Sequence, residues 1–563
     1  MLYDTAGNLP CYPGRLIGRR VLISKGFSNF YRNENRKALA GCMEISAMEL
    51  KLRDKIGQMI MTGFPTAGIT PELIELIEEY KVANIILFSY NFESVLQVQN
   101  TCMDLHLRIK KSTGYPAFIA VDQEGGVVTR LPKEACNVPG AMLIAATGKE
   151  EYAYEAGVIT GTQLRNLGIN VNLAPVLDVN SNPDNPVIGV RSYSSDPHQV
   201  EGYGINMMKG LLSEGVMPVV KHFPGHGDTA VDSHMGLPTV EKDLAELREQ
   251  ELIPFIRAAR QGAPCIMTSH ILFPKLEKEK KPATMSRAIL TGLLREQLGF
   301  QGIIITDCLE MGAIQSFYGT AQGAVEAVKA GAELLCISHT PELVKEAIHR
   351  IEEAVMTGEI PEEYIDRAVS NILKWKKKYR IEVIQKDNSC IGSKEQKEAV
   401  KRMALAGITQ ITPMELPGVT KDTVVIGSYA YRSTLASSSV DTELHFAKYM
   451  AGKFGCRYLE LPVNPGEEDI SAAMSQLKDA PFVIYGLYNG HLNRGQTELA
   501  NKISREGKEL LAVTLRNPYD FNLLDDRIHK LAAFEYNTVV FDALEAVIGK
   551  RQKAFGKLPV ILK

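Results

Sequence analysis

The chain has 563 residues, of which 45% are hydrophobic and 23% are charged, and its formal net charge is −3. These values are typical of a globular protein, and the absence of a basic surplus excludes nucleic acid as an expected partner. No apolar run reaches the roughly 18 residues that a membrane span needs, so we expect no membrane association. Nine scattered cysteines without a CxxC pair are typical of reduced thiols, and we predict a cytoplasmic protein.

The first predicted elements follow a weakly patterned N-terminus. Residues 1–47 have little hydrophobic periodicity and no signal-peptide core, so we predict a poorly structured extension. From residue 48, short β-branched runs alternate with longer segments of helical period. The eight runs are 57–64, 82–89, 117–122, 169–179, 216–223, 265–270, 302–307 and 333–338. This α/β alternation predicts a parallel sheet covered by helices, and eight strands close a (β/α)8 barrel of the TIM type.

Polar residues gather where these runs end, which is the edge of such a barrel that carries chemistry. They are Asp122, Asp178, Lys221 with His222, Ser269 with His270, Asp307, and Ser338 with His339. A single polar residue at the end of a strand indicates only a turn. A lysine, histidines and several aspartates at the same edge indicate a functional site.

The barrel is predicted to span 48–381 and to be followed by a polar linker over 382–397. Residues 398–563 have a smaller α/β pattern, with strand candidates TVVIGSY, PFVIYGLY, ELLAVTL and KLAAFEY. We predict an open-sheet α/β sandwich domain for this part. Neither GxGxxG nor GxxxxGK[ST] follows a strand there, so no nucleotide cofactor is expected.

The stretch KHFPGHGDTAVDSHMGLP, at 221–238, concentrates titratable residues on a loop that glycine and proline keep from being regular. His222, His226 and Asp228 are residue types that bind zinc, so a metal-dependent barrel hydrolase is one hypothesis. The intervening Pro-Gly gives these side chains no fixed geometry, and an acid–base loop without metal is the more economical hypothesis. Asp232 precedes His234 by two residues, and a carboxylate there would raise the pKa of an exposed imidazole.

Asp307 directly follows an apolar strand, which places it at the mouth of the predicted barrel. Two roles fit this position from spacing alone. Asp307 either acts chemically together with His234, or it caps the helix predicted over EMGAIQSF.

Five motifs in one order carry a resemblance to a known family. They are VDQEGGVVTRLP, NLAPVLDVNSNPDNPVIGVRSY, KHFPGHGDTAVDSH, PATMS and ITDCLEMGAI. Together they resemble glycoside hydrolase family 3, in its bacterial β-N-acetylglucosaminidase (NagZ-type) branch, over about residues 50–380. LRNPYDF and the closing GKLPVIL are similar to the second domain of the longer members. Val127, where the family often has arginine, and Cys308, where it often has an acidic or small residue, depart from the pattern.

The resemblance implies a role for each matching residue. Asp307 occupies the position of the catalytic nucleophile, His234 that of the acid/base and Asp232 that of its dyad partner. The sugar-binding positions match Asp122, Arg130, Arg191, Lys221 and His222. By their place in the motifs, His226 and Asp228 are expected to hold the shape of the loop, and Glu124 to pair with Lys221 or Arg130.

The function that this resemblance implies is a retaining exo-β-N-acetylglucosaminidase that needs no metal or cofactor. It would act through a covalent glycosyl-aspartate on muropeptide or chitin-type fragments during peptidoglycan recycling. The alternatives are an N-acetylglucosaminide phosphorylase, because a histidine acid/base has no fixed negative charge to repel phosphate, and a β-glucosidase of the same family. A non-catalytic sugar-binding protein is the alternative outside the enzymes.

Overall fold

The computed structural model describes residues 49–229, 236–384, 388–432, 434, 436–438 and 441–562. The predicted N-terminal extension, Asp232 and His234 lie outside these residues. None of the helices within the described ranges is long and apolar enough to cross a membrane.

Eight parallel strands form the first sheet. They are β1 (Ile60–Thr62), β2 (Asn84–Leu87), β3 (Phe118–Val121), β4 (Val171–Asn172), β5 (Met217–Phe223), β6 (Cys265–Thr268), β7 (Ile303–Ile305) and β8 (Leu335–Cys336). Strands adjacent in sequence are adjacent in the sheet, and β1 pairs with β8. A parallel bridge between Ile305 and Leu334 joins β7 to the residue before β8 and closes the ring. The predicted barrel and its eight strands are confirmed.

All eight strands are shorter than the apolar runs that predicted them, and two of them show why. The start of the run 57–64 belongs instead to the helix Leu52–Met59. The run 169–179 contributes only Val171–Asn172 to the regular ladder, and Pro175 within the run has no N–H to donate. Buried apolar composition therefore predicts that a strand exists better than it predicts where the strand ends.

Helices separate the strands and cover the barrel. The α-helices of this part are Leu52–Met59, Pro71–Glu78, Val95–Thr113, Ala141–Ala146, Glu151–Leu167, Pro197–Ser213, Leu244–Glu249, Leu252–Arg260, Gly312–Gln315, Thr320–Ala330, Pro341–Met356 and Glu362–Tyr379, and Ala288–Gln297 is a π-helix. Their ends follow local chemistry. The side chain of Ser94 accepts a hydrogen bond from the N–H of Gln97 at the start of Val95–Thr113, and Gly114 ends that helix with a φ of 81°.

The second sheet has six strands. They are β9 (Thr409–Gln410), β10 (Val424–Gly427), β11 (Arg457–Glu460), β12 (Phe482–Leu487), β13 (Glu509–Thr514) and β14 (His529–Ala532), in the order β11-β10-β12-β13-β14-β9. Only the β14–β9 pair is antiparallel. The helices of this part are Lys394–Gly407, Phe446–Phe454, Glu467–Gln476, Arg494–Arg505 and Thr538–Ile548. The predicted second α/β domain is confirmed, whereas the exact boundaries at 381 and 398 stay predictions.

The two sheets are joined by a shared apolar core. Met142 and Leu143, on the helix Ala141–Ala146 of the barrel, belong to the buried cluster of the second sheet. Val190 belongs to the same cluster and directly precedes Arg191, one of the predicted sugar-binding residues. The second domain is therefore packed against a segment that carries part of the predicted site.

Candidate active site

A cavity of about 540 Å³ opens at the carboxyl ends of the barrel strands. Its wall contains residues that follow β2, β3, β7 and β8, together with the end of β5. Six of the predicted site residues line it, namely Asp122, Arg130, Arg191, Lys221, His222 and Asp307. The barrel topology brings these six together from strand ends far apart in sequence.

A buried network of charges forms one side of the cavity. The Lys221 ammonium lies 2.7 Å from Asp122 Oδ1 and 2.8 Å from Glu124 Oε1. The Arg191 guanidinium donates from Nε and Nη2 to the two oxygens of Glu124, at 2.9 and 2.8 Å. Burial raises the pKa of Glu124, but the charges and hydrogen bonds of Arg191 and Lys221 outweigh burial and hold it well below its usual range. Glu124 pairs with Lys221, as expected, and with Arg191 rather than Arg130.

One of the two carboxylate oxygens of Asp122 is engaged by Lys221. The engaged oxygen is Oδ1, and the side chain of Asp122 is 22% exposed. No hydrogen bond within the described part of the chain reaches Asp122 Oδ2. A carboxylate oxygen that faces the cavity is suited to accept hydrogen bonds from sugar hydroxyls.

His222 is held by a fully buried carboxylate. Its Nδ1 donates to Asp178 Oδ2 at 2.7 Å, while Asp178 Oδ1 accepts the backbone N–H groups of His222 and His226 at 3.2 and 2.7 Å. Burial raises the pKa of Asp178, but the charge and hydrogen bond of His222 bring it below its usual value. With Nδ1 engaged, a neutral His222 presents Nε2 as an acceptor. Among the predicted site residues Asp178 was absent, and its place at a strand end was the only signal in the sequence.

The loop after β5 is fixed by several separate contacts. His226 Nδ1 lies 3.0 Å from Thr229 Oγ1, and Asp228 pairs with Lys242 at 3.0 Å. At Gly227 a Cβ atom would lie 1.6 Å from the carbonyl oxygen of Val179, so only glycine permits this approach. The three residues of the zinc hypothesis thus bind three different partners, and the described residues contain no group of three or more His, Cys, Asp or Glu placed to hold a metal ion.

Asp307 follows β7 and lines the cavity. Its Oδ1 accepts the N–H of Cys308 at 2.7 Å. The next helix begins only at Gly312, with Met311 at its N-cap, so the helix-cap alternative for Asp307 is wrong. Burial raises the pKa of the neighbouring Cys308 to about 11, which keeps that thiol neutral. The carboxylate therefore stands in the same cavity as the Asp122–Lys221 pair without a structural role in a helix.

Arg130 connects the cavity to the second domain. Its Nη1 donates to Ser438 Oγ at 2.9 Å and its Nη2 donates to the carbonyl of Ala436 at 2.8 Å. Arg432, Ala436, Ser437 and Ser438 of that domain also line the cavity. No sequence signal predicted this contribution, because the partners are 308 residues apart.

Aromatic side chains form another part of the cavity wall. Phe88 stacks on Tyr90 with ring centres 5.5 Å apart and lies 4.7 Å from the ring of His339. Tyr90 is 44% exposed. Partly exposed aromatic faces of this kind pack against the apolar faces of ligands. In the sequence, His339 was visible only as a polar residue at a strand end.

Comparison with known proteins assigns the chain to a family. A model of the glycosyl hydrolase family 3 N-terminal domain matches residues 51–375, which include every strand of the barrel and Asp307. The chain belongs to glycosyl hydrolase family 3. The predicted resemblance is confirmed, and the molecule is a glycoside hydrolase of the two-domain form.

Relatives of this family-3 chain differ in length. β-Hexosaminidase A of Pseudoalteromonas piscicida is 30% identical, over 99% of this chain and 98% of its own. A β-hexosaminidase of Xylella fastidiosa (strain 9a5c) is also 30% identical, but over 52% of this chain and 87% of its own. The solved family-3 β-N-acetylglucosaminidase of Paenibacillus sp. str. FPU-7 is 36% identical, with a TM-score of 0.85 over 91% of this chain and 99% of that one.

Proposed function

We propose that this family-3 hydrolase removes terminal N-acetylglucosamine as a retaining exo-β-N-acetylglucosaminidase. The observation that carries the proposal is the cavity in which the Asp307 carboxylate stands beside the Asp122–Lys221–Glu124–Arg191 network. A nucleophile and a set of charged hydroxyl-binding groups in one cavity are the parts that a retaining glycosidase requires. The β-hexosaminidase and β-N-acetylglucosaminidase relatives support the same sugar.

Asp307 would attack the anomeric carbon and form a glycosyl ester. Asp122, through Oδ2, and Lys221 would bind ring hydroxyls and hold the sugar so that this carbon faces Asp307. His234 would protonate the leaving oxygen and later take a proton from water, with Asp232 orienting its ring. Asp232 and His234 lie outside the described residues, and these two roles rest on the resemblance of the loop.

Replacement of the nucleophile tests the proposal. Asp307→Ala should lower hydrolysis of an aryl N-acetyl-β-glucosaminide at least about 1,000-fold, because the covalent step loses its attacking group. Asp184→Ala, at an exposed aspartate on a barrel loop, is the matched control and should retain wild-type turnover. Circular dichroism of both variants checks their folding. Normal turnover by a folded Asp307→Ala protein would contradict the assignment.

The natural substrates proposed are muropeptide or chitin-type fragments met during peptidoglycan recycling. We place the enzyme in the cytoplasm, and the scattered cysteines without a CxxC pair support this location.

A further inference from the structure

Two polar features of the sequence have no role in the proposed reaction. One is the pair Ser269 and His270, which follows β6 at the carboxyl edge of the barrel. The other is the PATMS motif at 282–286. Both are buried, since His270 is 1% exposed and Thr284 of the motif is 0% exposed. Buried polar groups need hydrogen-bond partners, and the partners of these residues include the segment that carries Asp307.

His270 binds the backbone next to the proposed nucleophile. Its Nε2 lies 2.9 Å from the carbonyl oxygen of Cys308, and because a carbonyl oxygen only accepts, this ring nitrogen carries the hydrogen and donates it. The backbone N–H of Met311 donates to the same carbonyl at 3.1 Å. The carbonyl oxygen of Cys308 has two lone pairs, and His270 therefore makes one of two bonds that fix its direction.

Thr284 holds the ring of His270 at its other nitrogen. Thr284 Oγ1 lies 2.9 Å from His270 Nδ1, 2.7 Å from Thr268 Oγ1 and 3.0 Å from the carbonyl oxygen of Ser269. The N–H and the hydroxyl of Ser269 in turn donate to the carbonyl of Phe223, at 2.9 and 3.0 Å. The ring is thus anchored on β5 and β6, and groups held by strands of a scaffold are positioned more precisely than groups held by loops.

The peptide unit between Cys308 and Leu309 is held on both sides. Its carbonyl accepts from His270, and its N–H donates to the carbonyl of Cys336 at 2.8 Å. Because a peptide unit is planar, bonds to both groups fix the orientation of the whole unit. The preceding peptide unit carries the Cys308 N–H, which donates to Asp307 Oδ1 at 2.7 Å. The direction of the Asp307 carboxylate therefore depends on a backbone frame to which His270 contributes.

Attack on the anomeric carbon requires a defined position of the Asp307 carboxylate. Reacting atoms must come within roughly 3–3.5 Å with their orbitals aligned, and a displacement of about 1 Å can lower the rate about 100-fold. His270 is buried and donates to a backbone carbonyl, so it reaches the reaction through Asp307 and not through the sugar. Asp122 and Lys221, which would bind the sugar, lie at the ends of β3 and β5. Loss of His270 would disturb the nucleophile and leave these two groups in place.

We propose that His270 is a positioning residue that aligns the Asp307 carboxylate for attack by holding the peptide unit between Cys308 and Leu309. This inference rests on the proposed function and adds to it a residue that acts without contact with the sugar. Thr284 supports the ring of His270, which gives the PATMS motif a role in the same alignment. Removal of His270 slows formation of the glycosyl ester and leaves binding of the sugar intact.

Two amide side chains separate the roles of the two ring nitrogens. Glutamine Nε2 is as many bonds from Cα as histidine Nε2, so His270→Gln keeps a donor for Cys308. Asparagine Nδ2 corresponds to histidine Nδ1, so His270→Asn keeps the contact with Thr284 and does not reach Cys308. A phenyl N-acetyl-β-glucosaminide is the substrate, because its poor leaving group makes formation of the glycosyl ester rate-limiting.

We expect kcat to fall about 10- to 100-fold in His270→Ala and His270→Asn, the value of a misaligned reacting group. His270→Gln should recover most of this loss. KM, and the inhibition constant of free N-acetylglucosamine, should stay at their wild-type values in all three variants, since the sugar-binding groups are unchanged.

His106→Ala is the matched control. His106 is a buried histidine of the helix Val95–Thr113, and its Nε2 makes the same kind of bond, to the carbonyl of Gly168 at 2.9 Å. Its removal should destabilise the fold as His270→Ala does, while kcat stays at the wild-type value. Urea unfolding of each variant measures the loss of stability and gives the folded fraction by which kcat is corrected.

The inference is overturned if His270→Ala has the same kcat as His106→Ala, or if His270→Asn is as active as His270→Gln. A loss that appears in KM and in the inhibition constant instead of kcat also overturns it, because His270 would then serve sugar binding. If His270→Ala does not fold, the comparison of the Gln and Asn variants decides. Failure of the proposed function has a different signature, since Asp307→Ala would then turn over at the wild-type rate, and that result overturns both.

Discussion

Glu124→Gln tests whether buried charge pairing builds the sugar-binding side of the cavity. The Glu124 side chain is 7% exposed, and its partners Arg191 and Lys221 are 4% and 3% exposed. Removal of one member of a buried ion pair costs about 3–5 kcal/mol, because the remaining charge stays desolvated. Glutamine at position 124 keeps one oxygen that can accept a hydrogen bond, but its NH2 group would face the positive charge of Arg191 or Lys221. We therefore expect the free energy of unfolding to fall by about 3 kcal/mol.

Urea unfolding followed by circular dichroism measures this loss. Glu398→Gln is the matched control, since Glu398 and Lys401 form an exposed pair with 57% and 59% of their side chains accessible, and we expect a change below about 0.5 kcal/mol. The pKa of Glu124 is lowered on folding, so its contribution is present above the unfolded value, near pH 4.3, and is lost as the pH falls below it. A difference of less than about 1 kcal/mol between the two variants near pH 7 would refute the reasoning.

Two further predictions concern the contact between the domains. Glu535 of the second domain accepts the backbone N–H of Gly140 of the barrel. Burial raises the pKa of Glu535 from 4.5 to about 7, so the folded state retains a proton that the unfolded state releases, and stability should fall as the pH rises through that interval. Thermal unfolding from pH 5 to 8 should show this fall in stability in wild type but not in Glu535→Gln. Parallel curves of stability against pH for the two proteins would contradict the prediction. Ser438→Ala should raise KM for the aryl substrate because Arg130 loses a hydrogen-bond partner. Ser438→Thr keeps the hydroxyl and should restore the wild-type KM. An unchanged KM in Ser438→Ala would show that Arg130 is held in place without Ser438.

The sequence predicted those parts of the molecule that follow from periodicity. Eight apolar runs indicated a barrel, and a barrel brings the ends of β3 and β5 together, so Asp122 and Lys221 could be expected to meet although they are 99 residues apart. Strand β11 was missed because Arg457–Glu460 is largely exposed at a sheet edge and has no apolar run. For Asp307, spacing left a helix cap open, and only the observed helix start at Gly312 removed that alternative.

The rest of the site depends on contacts that leave no local pattern. A bond such as Arg130 to Ser438 joins two domains, and neither residue stands in a sequence motif that identifies its partner. Asp178 was visible as a polar residue at a strand end, but its three hydrogen bonds to His222 and His226 require the bend of the loop after β5. Periodicity determines which elements exist, whereas tertiary packing decides which side chains meet.

The apolar core shared by the two sheets bears on how this chain can change in evolution. Met142, Leu143 and Val190 are covered by the second domain, and a barrel that lost this domain would present them to water. Exposed apolar patches of that kind promote aggregation. A transition between the short and the long relatives therefore requires polar substitutions on the barrel together with the gain or loss of the second domain. Deleting the second domain in one step would yield a less soluble protein as well as a cavity without the residues that this domain contributes to its lining.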